Sequence, residues 1–68
     1  MKITLKAARV NAGYTQQEVA RQLDLTPRTL INYEKGASFP RYDMLLKLAF
    51  MYRIEIDNIE MPKPKKKR

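Results

Sequence analysis

Two helix-start signals stand so close together that any helix between them is limited to about two turns. Thr15-Gln16-Gln17-Glu18 has the form of a capping box. The threonine hydroxyl can accept from the Glu18 amide, and the Glu18 carboxylate can reach back to the Thr15 amide. Thr26-Pro27 is a second start, with threonine suited to the N-cap and proline to the first helical position, where its missing N–H costs nothing. Val19, Ala20 and Leu23 share one face of the short helix between these signals, which is expected to stop near Asp24.

The rest of the chain follows from similar punctuation. Residues 3 to 12 read as a first helix, with Leu5, Ala8 and Arg9 or Ala12 at helical spacing and Gly13 as its stop. The third helix runs from Thr26 to about Lys35 and ends at Gly36; residues 36–40 form a loop by composition. From Arg41 a fourth helix turns Leu45, Leu48, Ala49 and Tyr52 inward. The β-branched Ile54 and Ile56 suggest a connector, and Asp57 to Glu60 a last helical turn. No segment alternates as a strand would. The expected fold is all-α, a compact bundle of about five short helices, as one domain over residues 1–61. Residues 62–68 form a basic tail expected to be disordered.

The chain has 68 residues and lacks both cysteine and histidine. Disulfides, thiolate metal sites and the commonest general base near neutral pH are thereby removed, which argues against an enzyme and against a metal or other cofactor. Nothing is apolar for long enough to span a membrane, and the N-terminus lacks the pattern of a signal peptide, so the expected location is the cytoplasm. Fourteen basic residues against seven acidic ones suggest an anionic partner. Five of those basic residues, however, are Lys63, Lys65, Lys66, Lys67 and Arg68 in the tail, so composition alone decides little.

Spacing decides more. Two helices separated by a short turn resemble a helix-turn-helix. Val19, Ala20, Leu23, Leu25, Leu30 and Tyr33 supply the apolar positions of such a unit, with the small Ala20 where the helices cross and Leu25 plugging the turn. With Leu30 and Tyr33 inward, Arg28, Asn32 and Lys35 point outward, with Ile31 at the edge. Arginine can bond to guanine O6 and N7, asparagine to adenine N6 and N7, and isoleucine can touch a thymine methyl. The expected core is Leu5, Ala8, Val19, Ala20, Leu23, Leu25, Leu30, Tyr33, Leu45, Leu48 and Ile56.

Residues 3 to 60 resemble the Xre-type domain of lambdoid phage repressors, Cro proteins and related bacterial regulators. The resemblance is carried by Tyr14-Thr15-Gln16-Gln17-Glu18-Val19-Ala20, by Asn32-Tyr33-Glu34-Lys35-Gly36, and then by Pro40 and Leu45-Leu46-Lys47-Leu48-Ala49. It implies a lambda-repressor-like fold of five helices with the third in the major groove of double-stranded DNA. Gln16 matches a position that grips a phosphate, and Arg9 and Glu34 match a partly buried ion pair. Lys35, Ser38 and Arg41 match a second phosphate clamp, where the start of the fourth helix would add its dipole. Gln17 and Thr26 complete the expected phosphate contacts.

Three residues depart from the family pattern. Asp24 stands where glycine is usual in the turn, and Arg53 where the fourth helix often ends on glycine. Pro27 replaces a base-contacting side chain, leaving base readout to Arg28, Ile31 and Asn32. Phe50, off the inward face of the fourth helix, joins Met51, Ile54, Ile59 and Met61 in an apolar patch that suggests a homodimer contact. Completion of a small core is the other reading of that patch. The tail admits three roles: a solvated end, a mobile arm on phosphates, or a localisation signal.

The function expected from these residues is a sequence-specific transcriptional regulator, a repressor, that binds a palindromic operator as a homodimer. No small-molecule ligand is evident, and the residues fit a phage, mobile-element or chromosomal setting alike. The alternative is a protein-interaction adaptor or antitoxin-like partner that retains the fold. Such an adaptor has no need of Arg28, Asn32 and Gln16 arranged around one helix.

Overall fold

The computed structural model describes residues 2–61. The order of elements is β1 (Ile3–Thr4), α1 (Leu5–Ala12), α2 (Gln16–Gln22), α3 (Pro27–Lys35), α4 (Tyr42–Tyr52), a 3-10 turn (Ile56–Asn58) and β2 (Ile59–Glu60). Among the described residues the expected bundle of about five short helices is a mostly helical fold of four α-helices and one 3-10 turn, and the all-α expectation is corrected by a small two-stranded sheet. In that sheet β1 pairs with β2 in parallel, Ile3 opposite Ile59 and Thr4 opposite Glu60. Strands this short show no alternation to read, because period-two patterning needs several residues. The tail, residues 62–68, lies outside the described residues.

The first three helices each start at a threonine cap, whereas Arg41 at the N-cap of α4 makes no side-chain cap bond. Thr4 takes up an extended conformation and accepts from the Ala7 N–H at 3.1 Å, so α1 begins at Leu5 and not at residue 3. The capping box of α2 is complete: Glu18 N–H donates to Thr15 Oγ1 at 3.1 Å and Thr15 N–H to Glu18 Oε1 at 2.8 Å. Thr26 caps α3 by accepting from the Thr29 N–H at 3.2 Å, with Pro27 in the first turn.

Three helix ends share one geometry. After α1 the Gly13 N–H reaches Val10 O and the Tyr14 N–H reaches Arg9 O. After α2 the same pair of bonds runs from Asp24 and Leu25, and after α4 from Arg53 and Ile54. Each requires a left-handed residue at the turn. Gly13 supplies it at φ 86° without strain, whereas Asp24 at φ 60° and Arg53 at φ 61° do so with a Cβ in place. The two departures from glycine noted in the sequence thus keep the backbone shape that glycine would favour.

The core is built on Leu5, Val19, Leu30 and Leu48, all essentially inaccessible, with Ala8, Ala20, Ala49, Tyr52 and Ile59 around them. Leu23, Tyr33, Leu45 and Ile56 sit at its margin, half-buried and not enclosed; Leu25 in the turn is also half-buried. So small a domain has too little volume to enclose every apolar side chain. Ile59 is only 6% exposed, which removes it from the expected dimer patch and assigns it to the core. No helix among the described residues is long and apolar enough to cross a membrane.

Candidate nucleic-acid interface

The placement of α3 rests on α2. Leu30 is fully buried against a core that includes Val19 of α2 and Leu5 of α1. With Leu30 inward, the 3.6-residue repeat turns Arg28 and Lys35 to solvent, both exposed, while Ile31 and Asn32 are half-buried at the edge of the same face. The Asn32 backbone carbonyl accepts from the N–H groups of Gly36 and Ala37 at 3.0 Å, and from Ser38 at 3.3 Å. That one acceptor ends α3 and folds the following loop back across its last turn, with Gly36 left-handed at φ 86°.

A buried polar cluster links three helices beneath this face. Arg9 Nε donates to Glu34 Oε2 at 2.7 Å, and Arg9 Nη2 to Glu34 Oε1 at 3.4 Å. Arg9 Nη1 donates to the Tyr14 carbonyl at 3.0 Å, just before the N-cap of α2. The Gln16 amide adds a third donor to Glu34, Nε2 to Oε1 at 3.0 Å. The Arg9 and Glu34 side chains are 10% and 4% exposed, so neither charge could stand here without the other. The contact from Gln16 and that to the Tyr14 carbonyl have no spacing signal, because they join residues remote in sequence or depend on side-chain direction.

Tyr52 lies close to the same cluster. Its ring is tilted 39° to that of Tyr14, with centroids 6.3 Å apart. Its buried hydroxyl has no hydrogen-bond partner among the described residues. Burial holds the phenol well above its ordinary value near 10; the Glu34 carboxylate adds to the rise and Arg9 opposes it.

The remaining expected phosphate contacts differ in how free they are. Gln17, Ser38 and Arg41 are exposed, as is Lys35. The Thr26 hydroxyl is engaged in its cap and lies 2.9 Å from the Thr29 hydroxyl. At the start of α4, Asp43 stands in the first turn and its Oδ1 accepts from the Met44 N–H at 2.8 Å. That helix end already carries an anion, so its dipole is a poorer phosphate donor than the sequence suggests.

On α4, Phe50 is 87% exposed and Leu46 43%. They border a groove with Tyr14, Leu23 and Met51, rimmed by the cations Lys47 and Arg53. Met51 and Ile54 are half-buried and pack on the core. Among the described residues no three His, Cys, Asp or Glu side chains gather as a metal site would require.

A family model described as a helix-turn-helix domain matches residues 3–59. The HTH-type transcriptional regulator ImmR of Bacillus subtilis (strain 168) is similar, 45% identical over 53 residues, which cover 78% of this chain and 42% of the relative. The chain thus spans about two fifths of the length of that curated relative. With the match extending from β1 into β2, and with α2 and α3 joined by the turn at Asp24, the chain belongs to the Xre-type helix-turn-helix family.

Proposed function

We infer that the protein is a DNA-binding transcriptional regulator that reads the major groove with the outer face of α3. The observation that carries this reading is the burial of Leu30, which turns Arg28 outward beside Ile31 and Asn32. In this reading Arg28 pairs with a guanine, Asn32 with an adenine, and Ile31 meets a thymine methyl. Gln16 and Gln17 hold one stretch of backbone phosphates, and Lys35, Ser38 and Arg41 another, through their side chains more than through the end of α4. Thr26 contributes less, its hydroxyl being shared with the cap. The naming of ImmR as a transcriptional regulator supports the same reading.

Repression is the mode we propose, by occupation of a palindromic operator as a homodimer. Its half-sites would lie about one helical turn apart. The exposed Phe50, with Met51 and Ile54 beside it, is the dimer contact in this reading; Ile59 no longer belongs to it. The same exposed Phe50 is the observation that favours the second reading, an adaptor that binds another protein through this face.

Selection of bound duplexes from a random library, with wild type and Arg28→Ala in parallel, tests the proposal. A short enriched palindrome that loses preference at one base pair in the variant is the expected result, at a cost of about 1–3 kcal/mol. Uniform, salt-sensitive binding with no enriched sequence would overturn it and leave the adaptor.

A further inference from the structure

The Gln16–Glu34 bond connects a side chain expected on the DNA backbone with the helix expected in the groove. Glu34 is held from behind by Arg9, whose Nε lies 2.7 Å from Oε2. Its other oxygen, Oε1, accepts from Gln16 Nε2 at 3.0 Å. An amide oxygen turned toward a carboxylate would set two acceptors against each other, so the Gln16 nitrogen must face inward. A primary amide carries two N–H groups about 120° apart, and one of them is now spent on Glu34. The second has no partner among the described residues, and Gln16 as a whole is only half-buried.

We propose that Glu34 is a positioning residue for Gln16, holding its amide so that the second N–H stands ready as an oriented donor to a backbone phosphate. The inference rests on the DNA-binding reading given above and deepens it. Two physical consequences support it. A glutamine on a helix surface samples many rotamers and loses that freedom on binding; here the loss is already incurred in folding. The Arg9 charge also cancels that of Glu34, so a phosphate drawing near Gln16 meets a neutral pair and not a bare carboxylate. Since Glu34 belongs to α3, a phosphate held by Gln16 also fixes where α3 sits along the duplex.

The test uses the full chain and a duplex enriched by the wild type, with Gln16→Met and Glu34→Gln made singly and together. Gln16→Met is expected to weaken binding about tenfold in the wild-type background, the equivalent of about 1.4 kcal/mol. In the Glu34→Gln background the same change is expected to cost about twofold or less, because the donor is no longer held. Equal losses in both backgrounds would overturn the proposal. Glu34→Gln leaves Arg9 without its counter-charge and can unfold the chain, so the free wild-type protein provides a second readout. By NMR, one Gln16 side-chain amide proton is expected downfield of those of Gln17 and Gln22 and slower to exchange, and the other is expected to move when duplex is added. A Gln16 amide indistinguishable from those two exposed glutamines would overturn the positioning role alone. Failure of the wild type to bind any duplex would instead overturn the DNA reading beneath it.

Discussion

Ile3 and Ile59 stand opposite each other in a parallel pair, so the first and last described elements are joined side by side. The pairing takes Ile59 to 6% exposure among Leu5, Leu48 and Tyr52. Ile59→Ala is therefore expected to destabilise the fold by about 2–5 kcal/mol, the range for truncating a buried isoleucine. Phe50→Ser, at a site 87% exposed, is expected to leave stability within about 0.5 kcal/mol of wild type while weakening self-association. Urea titration and sedimentation of both variants separate the two effects; loss of dimer without loss of stability in Ile59→Ala would reverse the assignment.

The Arg9–Glu34 pair has its cost concentrated in removal of one partner. Arg9→Ala leaves a carboxylate 4% exposed without its guanidinium and frees the Tyr14 carbonyl, so a loss of about 3–5 kcal/mol is expected. Replacing both residues by methionine is expected to cost less than Arg9→Ala alone, since no buried charge is stranded. Denaturant unfolding of the three proteins gives the comparison; a double variant as destabilised as Arg9→Ala, or more so, would contradict it.

Tyr52 links the cluster to alkaline stability. The folded protein holds the phenol above its ordinary value near 10, so it keeps its proton where the unfolded chain has released it. That contribution is fully present below about pH 10 and is lost as pH rises toward the folded value. Tyr52→Phe should flatten the fall in stability above pH 10. At neutral pH the same substitution should cost little or add up to about 1 kcal/mol, because the hydroxyl it removes has no partner among the described residues. Thermal melts of both proteins across pH 7 to 11 provide the check.

Arg53 holds the left-handed turn after α4 at φ 61°. Arg53→Gly removes the Cβ that this conformation penalises, offset in part by the greater freedom of glycine in the unfolded chain. The net gain expected is up to about 1 kcal/mol, read from the denaturation midpoint. Arg53→Val, β-branched at a positive φ, should move the midpoint the other way.

The starts of α2 and α3 were legible because a cap is a local object. Thr15 with Glu18, and Thr26 with Pro27, sit within one turn of the amides they serve, and nothing elsewhere in the chain is needed to recognise them. Ends were nearly as plain at Gly13 and Gly36. They were less so at Asp24 and Arg53, where the left-handed residue carries a side chain. The outward set on α3 followed from periodicity once Leu30 was assigned inward. What periodicity could not supply was the depth of Ile31 and Asn32, the second contact of Glu34, or the anion that Asp43 brings to the start of α4.

The sequence by itself determined the short helices, their caps, the turn between α2 and α3 and the face of α3 left outside, because all of these arise from interactions within a few residues along the chain. Only the tertiary structure decided that Thr4 ends a strand before it caps α1, that Ile59 belongs to the core, and that Gln16 adds a donor to the Arg9–Glu34 pair. Each of those depends on where distant segments return, which hydrophobic packing and chain closure set jointly and no local pattern encodes.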